Sequence, residues 1–397
     1  MKTKFDALIL GAGMVGATAA LMLARKGFSV ALIERQALQL MEDKFSATSL
    51  PAEVDQRVSA ISPASQQLLH ELGVWKQASR LRSCDYHKMT VWHENGSAQM
   101  QFACEQVGRS HLGTIIENEL LQSVLIHQLS QLPNVQLFDQ QQVTAIEQND
   151  TAVQLTTSAG ITLPGELLIA ADGRASSARK LLHLPVTRGS YQQTAIVANV
   201  STEKSHQNTA WQRFLSTGPL AFLPLSNGQS SIVWSADSDR AEELLSLSDD
   251  EFCLQLAQAF ENRLGKIIEI GPRAGFPLGW HTAERWLQGR VLLIGDAAHG
   301  VHPLAGQGVN LGFADVALLS HKISVGQAIF QTRLLRQFER QRKAEAVTAT
   351  HLFSALKLIY GQPSPLFSKF RDLGMMAVEQ NILLKRLVLN SAMQNMA

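Results

Sequence analysis

The chain has 397 residues, of which 45% are hydrophobic and 17% charged, and its formal net charge is +1. This length exceeds that of one ordinary hydrophobic core and predicts two domains, or one domain with a large insertion. The near-neutral charge argues against general nucleic-acid binding, which needs a strong basic excess. Three cysteines lie far apart without CxxC spacing, which is typical of buried thiols in a reducing cytoplasm and indicates neither a disulfide framework nor a zinc site.

An uncharged stretch near the beginning, "ALILGAGMVGATAALMLA" at 7–24, has the hydrophobicity of a signal peptide or a short membrane span. Its three glycines, however, separate a β-like run from a helix-like run, and Asp6 interrupts the basic region that would precede a signal. The stretch is therefore interpreted as a buried strand, turn and helix rather than as an export signal.

Hydrophobic periodicity predicts the elements in chain order. The first are strands at 5–10 and 29–34 around a helix at 14–27, then a helix near 63–72 and polar strands around 87–103. A helix at 117–131 precedes strands near 134–138, 142–147 and 152–156 and the apolar run "ELLIAADG". Alternating strands fill 185–275, followed within that region by a helix at 249–264, and the chain ends in a helical tail.

This order predicts an α/β fold in which a Rossmann-like nucleotide-binding domain is interrupted by a β-rich domain. The predicted boundaries are 1–80, 105–184 and 276–330 for the nucleotide-binding domain. The β-rich substrate domain would comprise 81–104 and 185–275, and 331–397 would form a helical C-terminal region.

The stretch "GAGMVG" at 11–16 matches the pattern GxGxxG. In such a turn Gly11 permits the tight bend, Gly13 lets a pyrophosphate approach the backbone, and Gly16 lets the helix pack on the strand. The helix N-terminus then offers N–H groups and partial positive charge to phosphates. Glu34 follows the next strand and is placed to bind ribose hydroxyls, which favours an adenosine without a 2′-phosphate, in NAD or FAD. Arg35 could lie along the adenine, or be an ordinary surface arginine.

Two later motifs favour FAD over NAD. "AADGRASSAR" at 170–179 places Asp172 and Gly173 just after a strand, with Arg179 six residues beyond Gly173. "VLLIGDAAHGVHPLAGQGVNLGFADV" at 291–316 places Gly295 and Asp296 after another strand, before a glycine-rich loop and a helix. An aspartate at such a strand end can bind a ribityl or ribose hydroxyl. The two histidines of the second motif, His299 and His302, have no third ligand nearby, and His299 is interpreted as a local hydrogen-bonding residue rather than a metal ligand.

The three motifs in this order resemble those of the single-component flavoprotein aromatic hydroxylases, the class that contains para-hydroxybenzoate hydroxylase, over essentially the whole chain. The segments "DQRVSAISPASQQLLHELGVW", "ENELLQ", "GPLAFLPL" and "AGFPL" are similar to those of the ubiquinone-biosynthesis hydroxylases. "RVSAISPAS", "AWQRF" and the terminal "LFSKFRDLGMMAVEQNILLKR" are most similar to the branch that acts on the demethoxyubiquinol ring. One departure is Ala170, where many relatives have glycine.

The resemblance implies a set of FAD contacts. They are Gly11, Gly13, Gly16, Glu34, Arg35, Arg57, Asp172, Arg179, Gly295, Asp296, Pro303, Gly306, Gln307, Gly308, Val309 and Asn310. Asp172 and Arg179 would serve the flavin edge and the phosphates of a transient NAD(P)H. Pro303 and the loop from Gly306 to Asn310 would lie beside the isoalloxazine ring.

The resemblance also implies the reaction: NAD(P)H reduces FAD, and oxygen is inserted into an electron-rich phenol or quinol ring. The β-rich domain would cover the flavin. Its aromatic and apolar side chains are either ring-pocket residues or simply core, and the pocket candidates are Trp211, Phe214, Phe222, Leu223 and Trp234. Tyr191 and Arg213 are polar pocket candidates, and no catalytic base identifies itself.

The C-terminal region is basic and apolar together. Residues 333–397 contain ten Lys and Arg against four Asp and Glu, a net charge of +6 that leaves −5 for the remainder. Such a region could be a solvated or oligomer-forming face, or a docking surface for a membrane or a biosynthetic complex. A polyprenylated substrate favours docking, so the expected location is cytoplasmic, with peripheral contact at the inner face of the cytoplasmic membrane. A homo-oligomer stays open.

Two functions of other classes remain at this point. A flavin-dependent reductase would share the cofactor motifs but insert no oxygen, and a non-catalytic component of a complex would not need to hold FAD tightly. The ring carbon that is hydroxylated and the choice of NADH or NADPH also stay open.

Overall fold

The computed structural model describes residues 4–38, 54–94, 96–300, 308–360 and 365–393. The helices in these ranges are α1 Met14–Arg25, α2 Pro63–Glu71, α3 Trp75–Leu81, α4 Asn118–Ser130, α5 Ser177–Leu181, α6 Ser238–Ser246, α7 Asp249–Ala259, α8 Gly308–Lys322, α9 Thr332–Tyr360, α10 Pro365–Gln380 and α11 Ile382–Met393. The first ten strands are β1 Phe5–Leu10, β2 Val30–Ile33, β3 Val58–Ile61, β4 Ser83–Tyr86, β5 Lys88–His93, β6 Gln99–Ala103, β7 Gly113–Glu117, β8 Val135–Phe138, β9 Val143–Gln148 and β10 Val153–Thr157. The others are β11 Thr162–Ala170, β12 Val186–Thr202, β13 Thr209–Leu215, β14 Gly218–Pro224, β15 Ser230–Asp237, β16 Ile267–Ile270, β17 Ala274–Ala283, β18 Leu287–Gln288, β19 Val291–Leu293 and β20 His299–Gly300.

The first sheet has eight strands, with β18-β19-β11-β1-β2-β8 in order and β10 and β9 extending from β11. Strand β1 is parallel to β2 and β11, and β11 is parallel to β19. Most residues of these strands are apolar because both faces of the sheet are covered, and Leu8 and Ile9 are fully buried; Asp6 in β1 and Glu166 in β11 are exceptions. Since parallel strands end at one edge, the segments that follow β1, β2, β11 and β19 lie on the same side of the sheet.

The second sheet has nine strands in the order β20-β17-β12-β15-β14-β13-β5-β6, with β16 beside β12. One of its faces packs against α6 and α7 in a core that includes Phe222, Trp234, Leu244 and Phe252. We call this the outer face, and the opposite face, which carries Phe214 and Leu223, the inner face. A third sheet has the order β3-β7-β4.

The C-terminal region packs at two separate places in the structure. The first half of α9 buries Leu335, Phe338 and Ala346 in the core of the first sheet. Helix α10 packs instead beside β6, and α11 packs on the turn Cys104–Val107 that follows β6; they bury Met375 and Leu389 in the inner-face core. None of the described helices combines the length and apolar character needed to span a bilayer.

The predicted α/β fold with a helical C-terminal region is confirmed. The predicted helix at 249–264 ends earlier, at Ala259, because Glu261 and Asn262 have positive φ values that a helix cannot continue. Elements that were not predicted include helices α3, α5 and α6 and strands β3, β4 and β7. The domain boundaries stay a prediction; β17, which begins at Ala274, belongs to the nine-stranded sheet, whereas β4 pairs with β7 in the small sheet.

Candidate functional site

The glycine-rich turn connects β1 to α1, and its three glycines have different physical roles. A Cβ atom on Gly11, where φ is +101°, would lie 2.5 Å from the carbonyl oxygen of Ala171, and one on Gly16 would lie 2.0 Å from the Gly11 oxygen. A Cβ on Gly13 would meet nothing within 4 Å. Packing therefore requires Gly11 and Gly16, whereas Gly13 keeps the surface open at the N-terminus of α1, which no side chain caps.

Glu34 follows β2 and turns its carboxylate toward this turn. The backbone N–H of Ala12 donates to Glu34 Oε2 at 2.8 Å, and that of Gln36 donates to Oε1 at 3.0 Å. The neighbouring Arg35 side chain is exposed. The geometry thus places a carboxylate beside the open N-terminus of α1, as ribose recognition requires.

Asp172 follows β11 and caps the short helix α5. Its Oδ2 atom accepts hydrogen bonds from the N–H groups of Ser177 and Ala178, at 2.6 and 3.0 Å, and from the Ser177 hydroxyl at 2.7 Å. Its Oδ1 atom is buried and has no hydrogen-bond partner among the residues that the structure describes. One oxygen therefore organises the chain, and the other remains able to accept a hydrogen bond.

Arg179 connects the second motif to the third. Its side chain is buried, donates to the Ala297 carbonyl at 3.0 Å and also contacts the carbonyl of Arg174. Burial lowers the pKa of Arg179, while the charges of Asp172 and Asp296 act in the opposite direction. The guanidinium thus lies in a buried position within the electrostatic influence of both aspartates, rather than on an open surface.

The turn after β19 is fixed by hydrogen bonds to a buried carboxylate. Asp315 in α8 accepts from the Gly295 N–H at 2.8 Å and from His299 Nε2 at 2.8 Å. Gly295 has a φ of +55°, in the left-handed region, and Asp296 beside it is exposed. The His299 ring stacks on Trp286 with centroids 4.8 Å apart. His299 is therefore a local hydrogen-bonding residue, as expected.

Arg342 in α9 completes this buried group. Its Nε atom lies 2.6 Å from Asp315 Oδ1, its Nη2 donates to the Leu311 carbonyl at 3.0 Å, and its Nη1 contacts Glu345. Burial by itself would raise the pKa of Asp315, but His299 and Arg342 outweigh it, and the pKa lies below its ordinary value. Asp315 is therefore a carboxylate with three donors around it.

The start of α8 is fixed by Asn310. Its Oδ1 atom accepts from the Ser62 N–H at 3.0 Å and the Ser65 hydroxyl at 2.8 Å, and its Nδ2 donates to the Ala60 carbonyl at 2.8 Å. The buried amide is thus occupied by protein partners. Gly308 and Val309 are half-buried. Pro303, Gly306 and Gln307, together with His302, lie outside the described residues.

Arg57 lies just before β3, and its side chain is exposed. The segment that carries it is attached to the second sheet, because Asn199 in β12 donates to the carbonyl of Val54 at 2.8 Å. A bidentate pair supports the same segment: Arg82 bonds both oxygens of Glu117, at 2.5 and 2.8 Å, and Glu117 also accepts from the Asp55 N–H.

Sequence reasoning missed His281 as well as Asp315 and Arg342. His281 in β17 hydrogen-bonds the Asp296 carbonyl through Nε2 at 2.8 Å, and β17 pairs with β20. Burial lowers its pKa, so the imidazole is neutral near pH 7. A carbonyl partner requires the proton on Nε2, which makes this ring a fixed support of the Asp296 turn. A lone histidine in an alternating strand gave no signal for this role.

The aromatic pocket candidates divide between the two faces of the nine-stranded sheet. The structure supports the core alternative for Trp211, Phe222 and Trp234, which lie on the outer face beneath α6 and α7; Phe222, for example, stacks on Phe260 at 3.9 Å. Phe214 and Leu223 lie on the inner face.

The polar candidates divide in the same way. Arg213 pairs with Glu261 at 2.8 Å and donates to the Ala259 carbonyl, which also excludes it from an inner-face pocket. Tyr191 packs with Ala195 and Leu278.

The residues present fit FAD. The Gly13 surface is open where phosphates would approach, the Glu34 carboxylate lies next to it, and Asp172 presents an unpaired buried oxygen. Arg179 then connects Asp172 to the Gly295 turn. Three segments far apart in sequence are thus assembled at one edge of the parallel sheet, where such folds bind nucleotides.

Comparison with known proteins agrees with this geometry. A family model described as an FAD-binding domain matches residues 4–352. The ubiquinone hydroxylase UbiL of Rhodospirillum rubrum is 34% identical, over 98% of this chain and 89% of its own. The 3-demethoxyubiquinol 3-hydroxylase of Escherichia coli is also 34% identical, over 97% of each chain. The mitochondrial ubiquinone biosynthesis monooxygenase COQ6 of Danio rerio is 33% identical, over 94% of this chain and 86% of its own.

Among solved structures, p-nitrophenol 4-monooxygenase PnpA from Pseudomonas putida has the same fold, with a TM-score of 0.79 at 19% identity, over 99% of this chain and 98% of that one. The matches to the sequence relatives extend over nearly the whole chain, and the structure assembles the cofactor residues that such a protein needs. The chain belongs to the FAD-dependent monooxygenase family of the ubiquinone-biosynthesis hydroxylases.

Proposed function

We propose that this protein hydroxylates the ring of a polyprenylated ubiquinone precursor, using NAD(P)H and O₂, and that its step is the hydroxylation of demethoxyubiquinol. The observation that carries the proposal is the assembly of the three cofactor segments around the open Gly13 surface. The E. coli relative, named for the demethoxyubiquinol step, matches over 97% of both chains and supports the ring position.

We assign the adenosine and pyrophosphate of FAD to Gly11, Gly13, Gly16 and Glu34, with Arg35 and Arg57 at the exposed rim. The flavin side is assigned to Asp172, Arg179, Gly295, Asp296 and the segment from Pro303 to Asn310, with Asn310 acting through the backbone that it fixes. When bound, FAD supplies the redox chemistry that activates oxygen, at the expense of NAD(P)H. The chain's own contribution is to bind it, orient it and keep water away.

The substrate ring belongs, in this proposal, on the inner face of the nine-stranded sheet. The outer face is filled by α6 and α7, so only the inner face can border the flavin. Pairing of β17 with β20 brings the Asp296 turn to the edge of this sheet, and His281 supports the contact. Phe214, Leu223 and Val233 make this face apolar, which suits a ring that must react away from water.

The decisive experiment combines reconstitution with product analysis. The purified chain, loaded with FAD, is expected to oxidise NADH or NADPH faster when a short-chain demethoxyubiquinol is present, and to yield a product heavier by one oxygen. Cells lacking the chain should accumulate demethoxyubiquinone. NAD(P)H oxidation without a hydroxylated product would identify a reductase instead, and accumulation of an earlier intermediate would reassign the ring position.

We further propose that α10 and α11 dock on an anionic membrane surface, where a prenylated substrate resides. Nine large apolar side chains are exposed on these two helices, and we call them the apolar docking face. They are Phe367, Phe370, Leu373, Met376, Ile382, Leu383, Leu384, Leu387 and Val388.

The charges around the apolar docking face support a lipid partner. The two acids of α10 and α11 are engaged by the protein: Asp372 accepts from Ala98 N–H and His93, and Glu379 pairs with Lys385. Lys369 and Arg386 are exposed. The described residues of these two helices therefore present apolar groups with cations, while both of their acids are engaged, which complements anionic lipid headgroups.

A further inference from the structure

Arg342, Asp315 and His299 form a buried, hydrogen-bonded group. None of the three is a proposed FAD contact, but Asp315 bonds Gly295, which is one. Asp315 is fully buried and Arg342 is 2% exposed. An ion pair removed from water in this way is a poor means of gaining stability, because the desolvation of both charges offsets much of their attraction. Such a group is therefore better suited to fixing the positions of its neighbours than to adding stability.

The geometry joins three elements. Through Oδ2, Asp315 fixes the Gly295 N–H and the His299 ring, so it holds the turn that carries Asp296 in its left-handed conformation. Through Oδ1, it is held by Arg342, which also bonds the Leu311 carbonyl one turn earlier in α8. Arg342 thus fixes both the carboxylate and the helix that carries it.

We propose that Arg342 is a positioning residue of the flavin site, which acts through Asp315 to set the backbone of the Gly295–Asp296 turn. The inference rests on the proposed placement of FAD at this turn. Arg342 lies on α9, outside the three cofactor motifs, and among the described residues its side chain bonds Asp315, Leu311 and Glu345 rather than the turn itself. A guanidinium is suited to this role because its planar fork can bond Asp315 and Leu311 simultaneously, which an ammonium group cannot do with the same geometry.

The test compares Arg342→Met and Arg342→Lys with Arg340→Met, an exposed arginine on the same helix. We expect Arg342→Met to weaken FAD binding about tenfold or more, measured by fluorescence quenching of free FAD on addition of apoprotein. At saturating FAD, the midpoint potential of the bound flavin should shift. Arg342→Lys should recover only part of the affinity, and Arg340→Met should match the wild type.

The double variant Asp315→Asn/Arg342→Met distinguishes a positioning role from a purely structural one, because it removes both buried charges. We expect it to restore the thermal stability of the apoprotein but not the FAD affinity or the potential. If the double variant regains wild-type affinity and potential, or if a folded Arg342→Met has both unchanged, the positioning role is wrong.

Gly13→Val, at the other end of the site, distinguishes a wrong positioning role from a wrong placement of FAD. If Gly13→Val weakens FAD binding and Arg342→Met does not, only the positioning role is overturned. If neither variant affects FAD binding, the assigned FAD site is wrong, and the positioning role with it.

Discussion

Phe214 in β13 and Tyr360 at the end of α9 form a stacked pair, with ring centroids 4.0 Å apart and ring planes inclined by 16°. Phe214 lies on the inner face of the nine-stranded sheet, where we place the substrate ring, and Tyr360 directly precedes the segment that leads to α10. The pair therefore connects the proposed pocket wall to the C-terminal region that carries the apolar docking face.

Replacing Tyr360 with alanine should loosen this connection. The substitution removes the burial of one aromatic ring and its stacking on Phe214, which together stabilise the attachment by about 2–4 kcal/mol. We expect faster cleavage of the C-terminal region in limited proteolysis, with FAD affinity unchanged. Met376→Ala, at an exposed position of α10, is the control. Equal protease resistance of Tyr360→Ala and the wild type would contradict the prediction.

Gly13→Val should abolish FAD binding without unfolding the apoprotein. A Cβ at Gly13 meets nothing within 4 Å and its φ of −61° suits any residue, so only an incoming phosphate is obstructed. Gly16→Ala should behave oppositely. Its Cβ would lie 2.0 Å from the Gly11 oxygen, and the strain should destabilise the apoprotein by about 1–3 kcal/mol. Thermal unfolding of both apoproteins, beside FAD titrations, checks the contrast.

The attachment of α10 to the β5–β6 hairpin should weaken in acid. Partial burial by itself raises the pKa of Asp372, but the amides of Ala98 and Ser97 and the His93 ring stabilise the carboxylate more, and its pKa lies below the ordinary value of 3.8. A lowered folded pKa contributes stability that is present above 3.8 and is lost as the pH falls through the folded value.

Limited proteolysis between pH 3 and pH 6 (roughly one unit below and two above the ordinary carboxyl pKa) measures this effect. Release of the C-terminal helices should begin below about pH 4 in the wild type. Asp372→Asn should raise protease sensitivity at all these pH values and remove the acid-dependent step. A step of equal size in Asp372→Asn would show that another group is responsible.

Charged substitutions in the apolar docking face should reduce membrane binding and leave the flavin site intact. Phe370 and Leu373 are 64% and 63% exposed, so Phe370→Asp and Leu373→Asp cost the fold little. We expect at least about tenfold weaker binding to vesicles containing phosphatidylglycerol, from lost insertion and added repulsion. Ile268→Asp, at an equally exposed apolar site on β16, is the control. If the double variant Phe370→Asp/Leu373→Asp binds vesicles as well as the wild type does, this face instead contacts a protein partner or another copy of the chain.

The cofactor side of the site was predictable because its chemistry is local. A glycine-rich turn, an acid at a strand end and two aspartates after strands each carry their signal within a few residues, and parallel strands bring those ends together. Asp315 and Arg342 gave no such signal. They lie 27 residues apart on two helices, and nothing in either helix indicates that these two side chains meet.

The substrate side was predicted less well for a different reason. Alternation in β14 shows that Phe222 and Leu223 point to opposite faces, but it does not tell which face α6 and α7 will cover. Trp211, Phe222 and Trp234, for which pocket and core were both open, fill the outer core, because a helix-covered face needs large apolar side chains. Only the packing of the later helices decides the assignment.

The strand order of the first sheet has a consequence for biosynthesis. β1 is flanked by β2 and β11, and β19, at 291–293, joins the far side of β11 and delivers the Asp296 turn. The turn is therefore translated well after β1, β2 and β11, strands of the sheet to which it attaches, and Arg342 emerges later still. Nascent chains should thus acquire their prosthetic group only after these late segments have left the ribosome, so an adequate supply of FAD would govern how many chains mature.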